Sequence, residues 1–184
     1  MGRIVYYTAT TLDGFLADPA DSLDWLLRQP LDDGGAGDYT RFIADVGAIV
    51  MGSTTYEWVL AHDPGSWAYD VPSWVMTSRT LPLPAAAGAD VRFASGPVGA
   101  LAPGLRAAAG EKDVWIVGGG DLAGQFADAG LLDEIVTSIA PVTLGAGRPL
   151  FPRRADLELL TVERNAGFIV ARHRYTGPLQ EDRV

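Results

Sequence analysis

The segment that most constrains the fold is a short apolar run that ends in three consecutive glycines. Residues 114–117 (Val-Trp-Ile-Val) precede Gly118, Gly119 and Gly120, and residues 121–127 have the spacing of an amphipathic helix. The pattern predicts a buried strand that turns sharply into a helix. Glycines there let a ligand approach the backbone, and the helix N-terminus offers free N–H groups. A tight turn without any ligand is the alternative, because a loose glycine cluster is a weak signal.

A second strand–glycine–helix junction lies upstream of the first. Gly52 closes the apolar run 48–51, and Ser53, Thr54 and Thr55 begin a predicted helix. Hydroxyl side chains cap a helix start even without a ligand, so a purely structural role is the alternative here too. Two such junctions in one parallel sheet open at the carboxyl ends of their strands, where open α/β sheets bind ligands. Paired helix N-termini suit the diphosphate of a dinucleotide.

Strands alternate with helices through the middle of the chain, which predicts a mostly parallel sheet with helices on both faces. Towards the C-terminal end, residues 157–165 and 168–175 flank the turn Asn165-Ala166-Gly167 and predict an antiparallel hairpin. The sequence has no internal repeat and no interdomain linker. We therefore expect residues 1–184 to form a single α/β domain, a length that is enough for one core.

Composition and charge argue against several classes of function. The chain has 23 acidic and 14 basic residues, a net charge of -9, so it lacks the basic field of a nucleic-acid-binding protein. It has no cysteine and two histidines, so we expect no metal site. Apolar runs stay short of the roughly 20 residues of a membrane helix. Polar residues follow the start too early for a signal peptide, so we expect a cytoplasmic protein without membrane contact.

Four motifs, taken in order, resemble a known superfamily. They are Thr11-Leu12-Asp13-Gly14-Phe15-Leu16-Ala17, Met51-Gly52-x-x-Thr55-Tyr56-Glu57, Val117-Gly118-Gly119-Gly120 and Leu144-Gly145-x-Gly147-x-Pro149-Leu150-Phe151. Their order and spacing resemble the dihydrofolate reductase-like superfamily, specifically its RibD C-terminal branch of bacterial deaminase–reductases. The resemblance spans residues 3–175. It implies a dihydrofolate reductase-like three-layer fold and a homodimer.

The resemblance also implies a reductase that binds NADPH. By matching positions, the residues on the pyrophosphate and nicotinamide side are Gly118, Gly119, Gly120, Asp121 and Leu122. Those at the other helix start, near the diphosphate, are Gly52, Ser53 and Thr55. Those that approach the adenosine ribose and its 2′-phosphate are Thr77, Ser78 and Arg79.

One departure from the family pattern bears on the choice of cofactor. The family commonly carries Arg directly after the glycine of the second motif, and this chain has Ser53. A guanidinium fork grips a phosphate best, and Arg79 is the nearest remaining candidate, with a solvated loop arginine as its alternative role. NADPH is the expected cofactor, and NADH stays possible.

Two carboxylates are the candidate catalytic residues. Asp13 follows the first strand, with a plain Asp-Gly turn as the alternative, and Asp38 begins a predicted helix, with an N-cap as the alternative. The expected function is hydride transfer to a small heterocyclic substrate, as in the 5-amino-6-(5-phosphoribosylamino)uracil reductase of riboflavin biosynthesis. A pterin reductase of the dihydrofolate reductase type, with Asp38 in the pocket, and a non-catalytic nucleotide-binding dimer are the alternatives. This sequence lacks the Cys/His zinc motif of the deaminase domain, which leaves a different substrate open.

Overall fold

A central eight-stranded sheet organises the chain in the computed structural model, which describes residues 2–62 and 65–182. The strands in these ranges are β1 (Ile4–Thr11), β2 (Phe15–Ala17), β3 (Val46–Gly52), β4 (Ser73–Met76), β5 (Val91–Ala94), β6 (Asp113–Gly118), β7 (Glu134–Ala140), β8 (Arg148–Pro149), β9 (Ala155–Asn165) and β10 (Phe168–Pro178). The sheet order is β5-β4-β3-β6-β1-β7-β10-β9, and β2 pairs separately with β8.

The sheet is parallel from β5 through β7. It becomes antiparallel at one edge, where β10 pairs with β7 and forms the C-terminal hairpin with β9. The tight turn of this hairpin places Ala166 at a φ of 48°. These pairings confirm the predicted mixed, mostly parallel sheet and its antiparallel hairpin.

Helices cover both faces of the sheet, as predicted. They are α1 (Asp24–Leu27), α2 (Tyr39–Ala44), α3 (Ser53–His62), α4 (Val98–Ala109) and α5 (Gly120–Asp128). Helices α4 and α5 bury Leu105 and Phe126 in one core, and α2 and α3 pack Phe42 and Tyr56 into a second core on the other face. Within the described ranges, none of the helices has the length and apolar character of a membrane crossing.

The chain leaves the adjacent strands β3 and β6 in opposite directions. Helix α3 leads from β3 to β4, and α5 leads from β6 past β1 to β7. Because right-handed crossovers in opposite directions place their helices on opposite faces, a crevice opens between the carboxyl ends of β3 and β6. Open α/β sheets bind ligands at such a switch point. The fold therefore predicts a site there.

A charged network closes the opposite, amino end of the strands. Glu134, at the start of β7, is 8% exposed and accepts hydrogen bonds from Arg3 Nη1 at 2.9 Å and from Arg172 Nε. Arg3 also pairs with Asp113 at the start of β6, where its Nη2 lies 2.7 Å from Oδ2. The network ties β1, β6, β7 and β10 together where the crevice does not reach.

We expect Glu134→Gln to lower the free energy of unfolding by about 2–3 kcal/mol, because a Gln amide presents N–H donors to one of two arginines that need an acceptor. Urea unfolding followed by tryptophan fluorescence measures the change. The matched control is Glu158→Gln, which breaks the exposed pair with Arg174 and should cost less than about 1 kcal/mol. Equal losses in the two variants would contradict the role given to the network.

Candidate active site

A cavity of about 480 Å³ occupies the predicted crevice. The glycine junction after β6 and the first turns of α3 form one side, and the segment from β2 to α1 forms the other. The residues that line it are Thr8, Ala9, Leu16, Ala17, Asp21, Leu23, Leu26, Thr54, Thr55, Trp58, Val117, Gly118, Gly119, Gly120, Asp121, Arg148, Pro149 and Pro152. The cavity thus brings together the two strand–glycine–helix junctions that the sequence singles out.

The two junctions touch each other directly. Met51 in β3 pairs with Gly118 in β6, and a Cβ placed on Gly118 would lie 2.7 Å from Thr55 Oγ1. Any side chain at Gly118 would therefore push the first turn of α3 away from β6. Because position 118 has no side chain, the N-termini of α3 and α5 can lie side by side.

Gly119 and Gly120 are glycines for different reasons. Gly119, at the N-cap of α5, has a φ of 79°, a conformation that residues with a side chain rarely adopt. The space around it is open, because a Cβ added there would have its nearest neighbouring atom 3.8 Å away. Its backbone is thus open to the cavity. A Cβ on Gly120 would lie 2.3 Å from the carbonyl oxygens of Pro149 and Leu150. Close packing of the 149–150 backbone explains Gly120 without a ligand.

The other two predicted residues of this junction differ in where they point. Asp121 lines the cavity in the first turn of α5, and hydrogen bonds from Gln125 Nε2 at 2.9 Å and Arg153 Nη2 at 3.1 Å lower the pKa of its carboxyl. Leu122 instead buries its side chain in the core beneath α5. The structure therefore does not bring the Leu122 side chain, which we expected on the pyrophosphate and nicotinamide side, to the cavity.

The remaining predicted cofactor residues lie outside the cavity lining. Gly52 and Ser53 form the β3–α3 junction, and Thr77, Ser78 and Arg79 follow β4, where the side chains of the last two are exposed. Arg79 forms a bidentate pair with Glu57 of α3, with Nη1–Oε1 and Nη2–Oε2 distances of 3.1 and 2.6 Å. That pair raises the pKa of Arg79. The structure thus places Arg79 beside α3 with its guanidinium already in an ion pair.

Asp13 serves a turn rather than the cavity. Its carboxylate accepts hydrogen bonds from Thr11 Oγ1 at 2.6 Å, Gly145 N at 2.7 Å and Leu144 N at 3.0 Å. The Thr11 hydroxyl is the largest cause of its lowered pKa. These bonds join the first and fourth motifs, and the structure does not bring Asp13 to the cavity.

Asp38 is the N-cap of α2, the alternative that the sequence left open. Its two carboxylate oxygens accept hydrogen bonds from Arg41 N and Gly34 N, both at 2.8 Å. The backbone N–H of Arg41 is the largest cause of the lowered pKa of its carboxyl. The structure does not bring Asp38 to the cavity, as a pterin reductase would require.

An ion pair in the cavity lining was not predicted. Arg148 in β8 binds Asp21 in a bidentate manner, with Nε–Oδ1 and Nη2–Oδ2 distances of 2.5 and 2.8 Å. The pair lowers the pKa of the Asp21 carboxyl, and Asp21 has a left-handed φ of 63°. Strain of this kind concentrates at functional sites. No sequence signal joins two residues so far apart, although Arg148 lies inside the fourth motif.

Trp58 is a third site residue that sequence reasoning missed. It lines the cavity, and its indole stacks on His62 with ring centroids 3.8 Å apart and an angle of 17°. His62 Nδ1 lies 2.8 Å from the Trp58 carbonyl oxygen, so Nδ1 carries a proton and donates it there. A signal for Trp58 existed, because residues at i+3 and i+4 share a helix face with Thr55 and Thr54.

We expect Asp38→Ala to lower the melting temperature by roughly 2–4 °C through loss of the N-cap. Asp38→Ser should restore most of that stability, since a hydroxyl also caps a helix. Thermal unfolding is measured on both variants, together with the reductase turnover that the sequence resemblance leads us to expect. If Asp38→Ser keeps the stability but loses turnover, the carboxylate acts on the substrate and the N-cap role is incomplete.

Known proteins resemble this chain in sequence and in fold. The family model described as the RibD C-terminal domain matches residues 99–167. The uncharacterized protein YwjB of Bacillus subtilis (strain 168) is 30% identical over 149 residues, which cover 81% of this chain and 82% of YwjB.

Solved structures give the same result for the fold. A protein of Shewanella sp. PV-4 named for riboflavin biosynthesis superimposes with a TM-score of 0.81 at 26% identity, covering 95% of this chain and 99% of that one. The diaminohydroxyphosphoribosylaminopyrimidine deaminase/5-amino-6-(5-phosphoribosylamino)uracil reductase of Thermotoga maritima has a TM-score of 0.66 at 14% identity, over 95% of this chain and 56% of that one. The match thus covers little more than half of the longer Thermotoga maritima chain.

Proposed function

Because the chain belongs to the RibD C-terminal domain family, we propose that it is a cytoplasmic reductase that binds NADPH and reduces a small heterocyclic substrate. The observation that carries the proposal is the contact of the two junctions, with Gly118 against Thr55 at the β3–β6 switch point. The Thermotoga maritima protein of the same fold is named as a uracil reductase, which supports the reaction class.

The residues present fit a dinucleotide. Helices α3 and α5 have ten and nine residues, and both begin at the crevice, so their free N–H groups and dipoles favour a diphosphate. The open backbone at Gly119 and the Thr55 hydroxyl would bind phosphate oxygens directly. The Asp121 carboxylate beside them is offset by Arg153, which also pairs with Asp128.

The bound cofactor would supply a hydride from C4 of its dihydronicotinamide ring. This chain would hold the substrate against that ring and exclude water with the apolar side chains of Leu16, Leu23 and Leu26. A C=N or C=C bond of the substrate would gain the hydride at its electrophilic carbon and a proton from solvent at the other atom.

Arg79 and Glu57 set the expected choice between NADPH and NADH. The two cofactors differ by the 2′-phosphate, and Arg79 is the guanidinium that follows β4 at the edge of α3. Glu57 holds that guanidinium through two hydrogen bonds. To bind Arg79, a 2′-phosphate must therefore either share the guanidinium with the Glu57 carboxylate or displace that carboxylate.

Titration with NADPH and NADH, followed by calorimetry or tryptophan fluorescence, should show binding of both, with NADPH tighter. Arg79→Ala should weaken NADPH about tenfold and leave NADH unchanged, because the 2′-phosphate loses a charged donor. Glu57→Gln should strengthen NADPH several-fold by releasing Arg79, whereas Glu158→Gln, in an equally exposed pair, should change neither affinity. If the wild-type protein binds neither cofactor, the proposed function is wrong.

We also propose that the protein is a homodimer through the outer hairpin. Ile169 in β10 and Val162 and Leu159 in β9 are 48%, 58% and 57% exposed. The register pairs Ala171 with Val162 and His173 with Leu159, so these three apolar side chains share one face. A contiguous apolar patch of this kind is typical of an interface.

Light scattering should give twice the 19.5 kDa mass of the chain. Val162→Lys combined with Leu159→Lys should return the mass of one chain, because two charges would be buried in the interface. The cofactor affinity of the double variant serves as the check that it is folded. A wild-type protein that stays monomeric at high concentration would contradict the dimer.

A further inference from the structure

We infer that the substrate is a planar heterocycle without a phosphate group, neutral or positively charged, that stacks on Trp58 beside Asp21. The inference rests on the proposed function, since it assigns a substrate class to the same cavity. The Thermotoga maritima protein of the same fold is named for a phosphoribosylated substrate, so the two proteins would differ in whether their substrate carries a phosphate.

The segment from β2 to α1 gives the cavity an apolar wall, and α3 adds an aromatic ring to the lining. Leu16, Leu23 and Leu26 line the cavity from β2 to α1, and Trp58 lines it from α3. Such a wall favours an uncharged ring over a hydrated anion, because burial of a charge without a partner is costly. The segment that supplies the leucines carries acidic Asp21 and Asp24 as well.

The Trp58 indole offers a planar surface in the cavity lining. His62, one helical turn further along α3, stacks on one face of the indole and donates its Nδ1 proton to the Trp58 carbonyl. Trp58 also lines an adjoining cavity of about 360 Å³, together with Asp21, Asp24 and His62. An indole that borders two cavities and has one face on an imidazole can stack with an aromatic ligand.

The charges around the cavity disfavour a phosphate. Among the described residues that line it, the charged ones are Asp21, Asp121 and Arg148. Asp21 accepts hydrogen bonds from Nε and Nη2 of Arg148, the edge of the guanidinium that would bind a phosphate in a bidentate manner. A phosphate that displaced Asp21 or bound the remaining edge would lie beside this carboxylate in a lining with two acidic residues and one basic residue, and like charges repel. An amino group or a ring N–H meets no such repulsion, because an ionised carboxylate has further lone pairs to accept its hydrogen bonds.

The test compares matched ligands with and without phosphate. We would measure the Kd of NADP⁺-saturated protein for 5-amino-6-(ribosylamino)uracil and its 5′-phosphate, and for 7,8-dihydroneopterin and its 3′-phosphate. NADPH oxidation is followed with the same four compounds. At least one unphosphorylated compound should bind ten times or more tighter than its phosphate. Trp58→Leu should weaken that compound about tenfold, and Trp58→Phe, which keeps a ring, should retain most of the affinity.

Asp21→Asn tests the charge directly. Asn tolerates the left-handed φ of Asp21 and releases Arg148, so the preference against phosphate should shrink at least fivefold. The matched control is Asp90→Asn, which frees Arg92 from an equally exposed bidentate pair outside the cavity lining and should leave the preference unchanged.

Each outcome bears on a separate claim. If the protein binds neither NADPH nor NADH, the proposed function fails, and this inference falls with it. If the cofactor binds, three results overturn the inference alone: tighter binding of the phosphorylated compounds, equal binding of both members of each pair, or binding of none of the four.

Discussion

The packing of β6 against the first turn of α3 is the contact on which the rest of the site depends. Gly118 leaves no room for a side chain, because Thr55 Oγ1 occupies the space that its Cβ would fill. This closeness sets two helix N-termini side by side at the switch point of the sheet. The opposite departures of α3 and α5 then leave the crevice open between them. A larger residue at position 118 would push α3 away from β6, and this displacement would disturb the site even without a direct clash with a ligand.

The triple glycine illustrates how one motif can meet three separate constraints. Gly118 makes room for Thr55, Gly119 adopts a φ of 79°, and Gly120 makes room for the carbonyls of Pro149 and Leu150. Of the three glycines, only Gly119 has both a left-handed φ and open space where a side chain would lie. The proposed ligand contact of the motif would therefore depend on its middle glycine, while the outer two let the neighbouring elements pack closely around it.

Periodicity and turn chemistry were enough to predict the layers, the parallel sheet and the terminal hairpin, because those features depend on local patterns. The same patterns located the cavity at residues 118–120 and Thr55. Asp13 and Asp38 show the limit: each occupies the end of an element where a carboxylate can cap backbone N–H groups or act in chemistry, and the sequence cannot distinguish the two. The Asp21–Arg148 pair depends on tertiary structure, since it joins a loop to a strand over 100 residues away.

The lining of the cavity differs in electrostatic character from one element to the next, and the ligands that we propose for it differ accordingly. Around the glycine junction, two helices begin at the open space, and Arg153, which Asp121 shares with Asp128, partly offsets the charge of Asp121. Elsewhere in the lining, Asp21 pairs with Arg148, and leucines and Trp58 supply apolar and aromatic surface. The helix N-termini would stabilise a diphosphate, and the Asp21 carboxylate would disfavour a second phosphate beside it. One cavity could thus hold a diphosphate and a ring side by side, provided that the ring brings no phosphate of its own.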